Sequence, residues 1–366
     1  MALVYGLHDL ESLKARRIQE IGISEINTRL MMWQSEVNRV FDAVMGTFTV
    51  RNEQWNTMPI TRIQQPSVGY AQFVDEHGVA KPREETGYFE QGLPLMRYED
   101  AIGLSYEALQ KITVEEFSRQ LAALENRDKR TAMLLFWFAV FYDTNWTFAS
   151  TEANLPSIPV KAGANSDGDL YIIRGQAAPA GATHYTAQAG AISDSADPFP
   201  AIKNLATQYA GTSSNDRVVA FVGDATNVAN IKNLSGFNRV ARTAFTMWGD
   251  NVSLVDMSAD TFIGMGDEVL GEHEEGILVI RKQDLPSNYI AWFNLDAPAP
   301  IGIREDEVPT LRGLFNIDAV ENSGNTLLRR FRRKIGFAPV NRTGFGVHRI
   351  GNASYAAPSP YNAIPG

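Results

Sequence analysis

The chain has 366 residues, of which 44% are hydrophobic and 20% are charged, and its formal net charge at pH 7 is -9. A chain of this length can bury a core, and we expect two or more compact lobes. No apolar run approaches the roughly 20 residues that a membrane-spanning helix needs, and the first residues lack the basic and apolar regions of a secretory signal. Cysteine is absent. This excludes disulfides, thiolate metal sites and cysteine nucleophiles, and it fits folding in a reducing cytosol.

Most of the cationic residues are arginines, which outnumber lysines 24 to 9. Guanidinium groups bind carboxylates in a planar, bidentate geometry and are common at protein interfaces, where lysine is depleted. The arginine excess therefore favours contacts between subunits, and the base composition of a GC-rich genome is the other explanation. The negative net charge argues against a dedicated nucleic-acid binder, which needs a basic surface to neutralise phosphates. It is compatible with a container that encloses a nucleic acid without binding it tightly.

Residues 9–46 are predicted to form one or two helices, with an interruption at Gly22. Apolar residues then recur at intervals of three and four, which is the spacing of one helix face. They are Ile26, Leu30, Trp33, Val37, Val40 and Val44. The pattern favours an amphipathic helix lying on a partner surface over a short coiled coil. Such a helix at a chain terminus docks on its own domain or reaches a neighbouring subunit.

Residues 47–111 combine strand-like segments with many glycines and prolines. The predicted strands cover residues 58–63, 67–74, 87–89 and 95–104, and a very polar tip lies at 75–85. A two-stranded hairpin of this composition buries too little surface to be stable alone, and a structureless loop of this length is unusual inside a compact domain. The hairpin must therefore lie across its own domain or across another subunit, and we favour the other subunit.

A long helix is predicted to follow. The Thr113 hydroxyl can accept from the amide of Glu116, whose side chain can reach back in a capping box, and Ile112 and Phe117 are placed to form a hydrophobic staple. The helix is expected to end near Trp146 after about 33 residues, or roughly 50 Å. Its first half is polar and its second half is almost entirely apolar. One end should therefore be solvated or interfacial and the other end buried.

Residues 150–195 are rich in Gly, Ala, Pro and Ser, with one predicted strand at 169–174. An α/β pattern begins at residue 197, and Asp224 is placed to cap a helix. Its predicted helices are 198–210 and 225–234, and its predicted strands are 217–223, 251–255, 276–281, 290–294 and 313–320. A basic segment at 327–333 leads into a predicted terminal hairpin, with strands at 334–340 and 344–350.

The motifs that carry catalysis or ligand binding are absent from the sequence. The five histidines have no ligand spacing, and the stretch Glu272-His273-Glu274-Glu275 is interpreted as a solvated acidic turn rather than a metal site. Residues 165–169 lack the register of a calcium loop and are predicted to form a plain turn. Phosphate-binding loops and nucleophile elbows do not occur. We therefore predict no catalytic, cofactor-binding or metal-binding residue, and no cofactor.

The basic tract at 329–334, the segment Gly336-Phe337, the turn Asn341-Arg342-Thr343-Gly344 and the element order resemble those of major capsid proteins of tailed bacteriophages. The resemblance implies the Hong Kong 97 capsid fold, an α+β architecture with an N-terminal arm, an extended E-loop hairpin, a long spine helix, a peripheral domain and an axial α/β domain. On this sequence the arm corresponds to 1–50, the E-loop to 51–105, the peripheral domain to 106–196 with its spine helix at 113–148, the axial domain to 197–325, and the closing strands and tail to 326–366.

The resemblance also implies a function. A structural protein of this family self-assembles as pentamers and hexamers into an icosahedral head, which encloses double-stranded DNA without sequence-specific binding. We accordingly expect a virion protein, assembled in the host cytoplasm with a portal, a separate scaffolding protein and in some cases a decoration protein, and with neither enzymatic activity nor a membrane partner. The alternatives are the shell protein of an encapsulin-like bacterial compartment with an enzyme cargo, and a cytosolic oligomeric enzyme.

Two charged segments are the candidate intersubunit contacts. The basic one contains Arg329, Arg330, Arg332, Arg333 and Lys334, and the E-loop tip contains Asp75, Lys81, Arg83, Glu84 and Glu85. We favour pairing of the basic tract with acidic residues of a neighbour, because a nucleic-acid patch would need more stacking aromatics than Phe331. Some relatives join a loop lysine to an asparagine of a neighbour. Lys81 with Asn341 or Asn352 would suit that chemistry, although a lone loop lysine is usually only a solvated charge.

Overall fold

The computed structural model describes residues 23–46, 48–57, 59–64, 88–105, 111–150, 155–163, 172–173, 176–177, 183–209, 212–238, 268–319 and 326–364. Within them the chain forms two compact units. Unit 1 comprises Met1–Asp42, Leu95–Leu134 and Glu305–Ile335, and unit 2 comprises Ala43–Pro94, Leu135–Arg304 and Gly336–Gly366. The predicted domain boundaries stay predictions. The hairpin tip at 75–85 and the predicted strand at 251–255 lie outside the described residues.

The helices and strands occur in the following order. The helices are α1 (Ile23–Met45), α2 (Glu53–Thr57), α3 (Val114–Phe141), α4 (Phe199–Thr207) and α5 (Ala225–Lys232), with one 3-10 turn at Pro309–Leu311. The first strands are β1 (Thr49–Arg51), β2 (Ile60–Gln64), β3 (Tyr88–Gly92), β4 (Met96–Ser105), β5 (Trp146–Ser150), β6 (Leu155–Val160), β7 (Ile172–Ile173), β8 (Gln176–Ala177) and β9 (Tyr185–Gln188). The later strands are β10 (Val218–Val222), β11 (Phe237–Asn238), β12 (Glu268–His273), β13 (Ile277–Arg281), β14 (Tyr289–Asn294), β15 (Ile301–Glu305), β16 (Phe315–Ala319), β17 (Thr326–Pro339) and β18 (Phe345–Ile350). Every helix in the described part of the chain is too short or too polar to span a bilayer.

Unit 1 is built on three antiparallel strands with β17 in the middle, between β4 and β16. One face of these strands is covered by α1 and the first part of α3. Its core is a cluster of buried apolar side chains. They are Leu30, Val37, Ile102, Ile112, Leu124, Leu314 and Phe331. The helix predicted from the three-and-four spacing near the N-terminus therefore packs on its own unit, with Trp33 in edge contact with Phe331 at 5.5 Å.

Helix α3 begins where the sequence predicts. The Thr113 hydroxyl accepts from the Glu116 amide at 3.2 Å, which satisfies one free amide of the first turn. The predicted end near Trp146 is wrong, because the helix stops at Phe141 and Trp146 already belongs to β5. Tyrosine hydroxyls of other elements bond to the carbonyls at this end: Tyr185 donates to the carbonyl of Val140 at 2.8 Å, and Tyr355 donates to that of Phe141 at 2.6 Å.

Unit 2 is dominated by a mixed seven-stranded sheet in the order β11-β12-β13-β10-β14-β18-β9. Strand β10 is buried at all five positions, as expected for a strand covered on both faces. Residues of α4 and α5, among them Phe199 and Ile231, pack on one face. Phe221 and Phe293 of the other face contact Phe48 at 5.6 and 4.7 Å. The predicted helices at 198–210 and 225–234 and the strands at 217–223, 276–281 and 290–294 are confirmed.

The predicted terminal hairpin is wrong. Strand β18 pairs with β14 and β9, whereas β17 pairs with β4, β15 and β16. The turn at 341–344 directs the chain away from the partners of β17 and towards β14 and β9. The Asn341 side chain stabilises this turn by donating to the carbonyl of Pro298 at 2.7 Å. The two strands that follow one another in sequence therefore have different partners.

Candidate docking surface

Strand β17 carries the basic tract, and its period of two divides the tract between two faces. Phe331, Arg333 and Ile335 are buried, while Arg330, Arg332 and Lys334 are half-buried. Arg329 lies opposite Ile102 in the strand pairing, and its side chain lies outside the described ones. The five basic residues therefore do not form one surface patch.

Arg333 faces the interior of unit 1 and is only 1% exposed. Its Nε and Nη2 donate to the two carboxylate oxygens of Asp128 at 2.9 and 2.8 Å, and its guanidinium lies 4.2 Å from the ring centre of Phe41. The Tyr98 hydroxyl also donates to Asp128, at 3.0 Å. Burial opposes the charge of Arg333, but Asp128 more than offsets it and raises the pKa of the guanidinium. The charge of Arg333 is thus used inside the unit and is not presented to a neighbour.

Arg332 lies on the opposite face of the strands and meets Glu99 of β4, its partner in the strand register. Glu99 Oε1 accepts from Arg332 Nε at 2.6 Å and also from Arg97 Nε at 3.0 Å. Both hydrogen bonds lower the pKa of the Glu99 carboxyl, and the bond from Arg97 has the larger effect. Two guanidinium groups therefore share one carboxylate oxygen at the surface of unit 1.

Lys334 has a carboxylate partner within the same unit. Its Nζ lies 2.8 Å from Asp306 Oδ2. Burial alone would raise the pKa of Asp306, but the hydrogen bonds from Lys334 and from the amide of Val308 lower it. The Asp306 carboxyl is therefore charged at neutral pH.

The cross-strand register defines a second face of the unit 1 strands, which we call the open face. It consists of Arg97, Glu99 and Ala101 of β4, Arg330, Arg332 and Lys334 of β17, and Phe315 and Ile317 of β16. The three β4 residues are exposed and the other five are half-buried. The open face is therefore accessible to solvent.

The acidic tip that was predicted to meet the basic tract lies outside the described residues, as do Asp75, Lys81, Arg83, Glu84 and Glu85 within it. The structure does show the base of its hairpin, where β2 pairs with β3. Phe89 is buried beside the guanidinium of Arg342, at 5.4 Å from ring centre to cation. Gln91 accepts from the amide of Lys161 at 3.2 Å and donates to its carbonyl at 3.3 Å. The base of the hairpin is thus fixed to its own unit.

The histidines and the acidic stretch that were considered as possible metal ligands lie in strands, in a turn and in the core. Of the stretch interpreted as a solvated acidic turn, only Glu274 and Glu275 lie in the turn between β12 and β13, whereas Glu272 and His273 belong to β12. His273 is buried rather than solvated, with Nε2 3.0 Å from Asp197 Oδ2. Burial lowers the pKa of His184 to about 3 and that of His348 to about 4. Among the described residues, no group of three or more His, Cys, Asp and Glu is placed to hold a metal ion.

Two features of this surface were not predicted from the sequence. Applying the strand period to Arg330–Ile335 would have placed Arg333 with Phe331 and Ile335 on the inner face. The same alternation in Arg97-Tyr98-Glu99 would have placed Arg97 and Glu99 together on the outer face. Their pairing with Arg332 depends on the register of β4 and β17, which a single sequence does not reveal.

No model of a known protein family matches the sequence, and no curated protein matches it either. A chain in the solved structure of Mycobacterium phage Patience is similar in fold, with a TM-score of 0.65 and 16% sequence identity over 96% of this chain and 94% of that chain. The mature capsid of bacteriophage PhiM1 matches with a TM-score of 0.48, 7% identity and coverage of 84% and 86%. The capsid of cyanophage P-SCSP1u matches with a TM-score of 0.48, 11% identity and coverage of 83% and 85%. The likeness to the Patience chain spans nearly the whole of both chains, and the α+β fold predicted from the resemblance to phage capsid proteins is confirmed.

Proposed function

We propose that this chain is a major capsid protein, many copies of which assemble as pentamers and hexamers into an icosahedral head. The observation that carries the proposal is the fold shared with a chain of Mycobacterium phage Patience over 96% of this chain. A shell of this kind is held by multivalency, because many modest contacts between copies add up to a stable particle.

The composition and charge of the chain support a container rather than a nucleic-acid binder. The net charge of -9 disfavours tight, non-specific binding to phosphates. The head would therefore enclose double-stranded DNA without sequence-specific contacts. Among the described residues, His184, His273 and His348 are buried, and Glu99, Asp128 and Asp306 form ion pairs with basic residues of β17, which supports a structural role for these side chains.

The proposal also covers where the chain assembles and with which other proteins. The chain would be made in the host cytoplasm, would assemble there with a portal and a separate scaffolding protein, and would end in the virion, in some cases with a decoration protein. Scaffold dependence is open to direct test, because co-expression of a required scaffold should convert small oligomers or irregular aggregates into uniform shells.

Negative-stain electron microscopy of the purified recombinant protein, with and without co-expressed proteins of its own phage, tests the proposal. Closed shells tens of nanometres across are expected. Discrete small oligomers under both conditions would contradict it and would favour an oligomeric enzyme. The contents of the particles separate the two kinds of shell, since a phage head packages DNA whereas an encapsulin-like compartment retains an enzyme cargo.

A further inference from the structure

We infer that Arg342 is a positioning residue, which fixes the direction in which the hairpin of β2 and β3 leaves unit 2. The consequence of this role rests on the proposed function, since the direction of a projecting hairpin affects how regularly identical copies can pack. The direction itself is a property of the single chain and can be measured on protein that does not assemble.

Arg342 is a buried cation that contacts two separate segments of unit 2. It is only 2% exposed, and its Nε donates to the carbonyl of Ala162 at 2.8 Å. Its guanidinium lies 5.4 Å from the ring centre of Phe89 in β3. A guanidinium is planar and can stack on an aromatic ring while its N–H groups donate to acceptors. One side chain therefore joins the hairpin to the segment that follows β6.

A second set of contacts holds β3 near its C-terminal end. The Gln91 side chain bonds both the amide and the carbonyl of Lys161, at 3.2 and 3.3 Å. A Cβ added at Gly92 would overlap the carbonyl oxygen of Pro159 and would lie 2.8 Å from Ile158 Cγ2. Strand β3 therefore lies closer to β6 at this position than any side chain would allow.

The two sets of contacts together define a direction. Phe89 and Gly92 are three residues apart, or about 10 Å along an extended strand. A strand held at one point can still rotate about it, whereas a strand held at two such points cannot rotate without losing a contact. The exposed pair of Arg62 and Glu90, with Nε and Oε1 3.5 Å apart, adds little because surface ion pairs are weak. The contact of Phe89 with Arg342 is therefore the one that opposes rotation about Gly92.

The position of Arg342 is fixed by the elements around it. Its neighbour Asn341 donates to the carbonyl of Pro298 at 2.7 Å. Ala162, which accepts from Arg342, donates its amide to the side-chain oxygen of Asn145 at 2.9 Å, shortly after the end of α3. The guanidinium thus connects the hairpin to the main body of unit 2.

The length of chain beyond the base amplifies a small rotation. Residues 65–87 lie between β2 and β3, and each half of this segment can reach at most about 36 Å from the base. A rotation of about 10° at the base then moves the far end of such a segment by up to about 6 Å. Hydrogen bonds between copies tolerate displacements of only about 0.5 Å. Copies whose hairpins leave the unit at different angles therefore cannot form identical contacts, and their shells should vary in size.

Because the chain has no cysteine, two introduced cysteines can measure the direction in the full-length protein. Spin labels on Glu90→Cys in β3 and Ala229→Cys in α5, both exposed positions of unit 2, give a distance by pulsed electron paramagnetic resonance, with unlabelled chain in excess. Arg342→Met should broaden the distance distribution roughly twofold, because the strand is then held at one point. Phe89→Leu should have the same effect. Phe199→Leu, which removes a buried ring from α4, is the matched control and should keep the wild-type distribution.

Unchanged distributions in Arg342→Met and Phe89→Leu, or equal broadening in Phe199→Leu, would overturn the positioning role. Phe89→Leu decides the matter if Arg342→Met does not fold. Electron microscopy tests the consequence: shells of the variants with broadened distributions should vary in diameter roughly twice as much as wild-type shells, and uniform shells would refute the link to assembly. If the wild-type chain forms no shells, the proposed function fails, while the distances in the unassembled chain still decide the role of Arg342.

Discussion

Arg333 and Asp128 form a two-point ion pair inside unit 1, with nitrogen–oxygen distances of 2.9 and 2.8 Å. Asp128 projects from α3 and Arg333 from β17, so the pair joins the helix to the middle strand. Asn38 of α1 also takes part, because its side-chain oxygen accepts from Arg333 Nη2 at 3.3 Å and from the amide of Leu314 at 2.8 Å. The buried charge thus ties together three elements that are far apart in sequence.

The first prediction distinguishes the role of Arg333 from that of its neighbour Arg332. Arg333→Ala leaves the Asp128 carboxylate buried without its partner, which should lower the free energy of unfolding by about 3–5 kcal/mol. Arg332→Ala removes a partly exposed ion pair and should cost at most about 1 kcal/mol. Urea unfolding followed by circular dichroism measures both changes. Equal losses for the two variants would show that the internal role assigned to Arg333 is wrong.

The second prediction concerns the C-terminal tail, which covers the end of α3. The ring of Tyr361 stacks on that of Phe141 at 5.1 Å, and Tyr361 is 6% exposed. Tyr361→Ala should therefore destabilise the protein by about 3–5 kcal/mol, as for other buried aromatic deletions. Tyr355→Phe loses only the hydrogen bond to the Phe141 carbonyl and should cost about 1 kcal/mol. Ile364→Ala is the control, since Ile364 is 46% exposed. A large loss for Ile364→Ala, or none for Tyr361→Ala, would contradict this arrangement.

The third prediction tests the close packing of β18 in the sheet. A Cβ at Gly346 would lie 2.5 Å from the Trp292 ring and 2.6 Å from the carbonyl oxygen of His184. Because the carbonyl belongs to the backbone, Gly346→Ala should force the strand to shift and cost about 1–3 kcal/mol. At Gly190 the nearest atom is 3.9 Å away, and Gly190→Ala should leave the melting temperature nearly unchanged. Thermal unfolding of the two variants gives the comparison.

Local signals in the sequence were enough to predict several elements. Asp224 caps α5 by accepting from the amide of Thr226 at 3.3 Å. Its residue type and its position before the helix are enough to predict this role. The apolar run of β10 and the cap that the Thr113 hydroxyl provides to α3 also depend only on neighbouring residues. The resemblance that the element order suggests then led to the correct fold class.

Other features depend on tertiary partners, and the sequence did not reveal them. Strand β18 leaves β17 for β14 because the turn after Val340 is held by the carbonyl of Pro298, more than 40 residues away in the chain. Arg333 was taken as a surface charge because its partner Asp128 is distant in sequence and half of the tract does face outward. The surface site of Arg97, Glu99 and Arg332 likewise requires the register of two strands that are far apart in the chain.

The fourth prediction concerns pH. His348 is 5% exposed, with Nδ1 2.8 Å from the Thr186 hydroxyl and Nε2 3.1 Å from Gln188 Oε1. The Gln188 oxygen can only accept, so Nε2 carries the proton and Nδ1 accepts from Thr186, which is the arrangement of a neutral ring. Burial lowers the pKa of His348 to about 4, from an ordinary value of 6.5. The unfolded chain therefore binds a proton at a pH where the folded chain does not.

The sign of the effect follows from that difference. The contribution of His348 to stability is fully present above pH 6.5 and is lost as the pH falls towards 4, by at most about 3 kcal/mol. His184, whose folded pKa is about 3, acts in the same direction. His348→Gln keeps a polar side chain that does not titrate, so its free energy of unfolding should fall less steeply between pH 6.5 and 4 than that of the wild type. Urea unfolding at a series of pH values measures both slopes. Parallel slopes would show that the neutral, buried state of His348 does not contribute to the acid sensitivity of the fold.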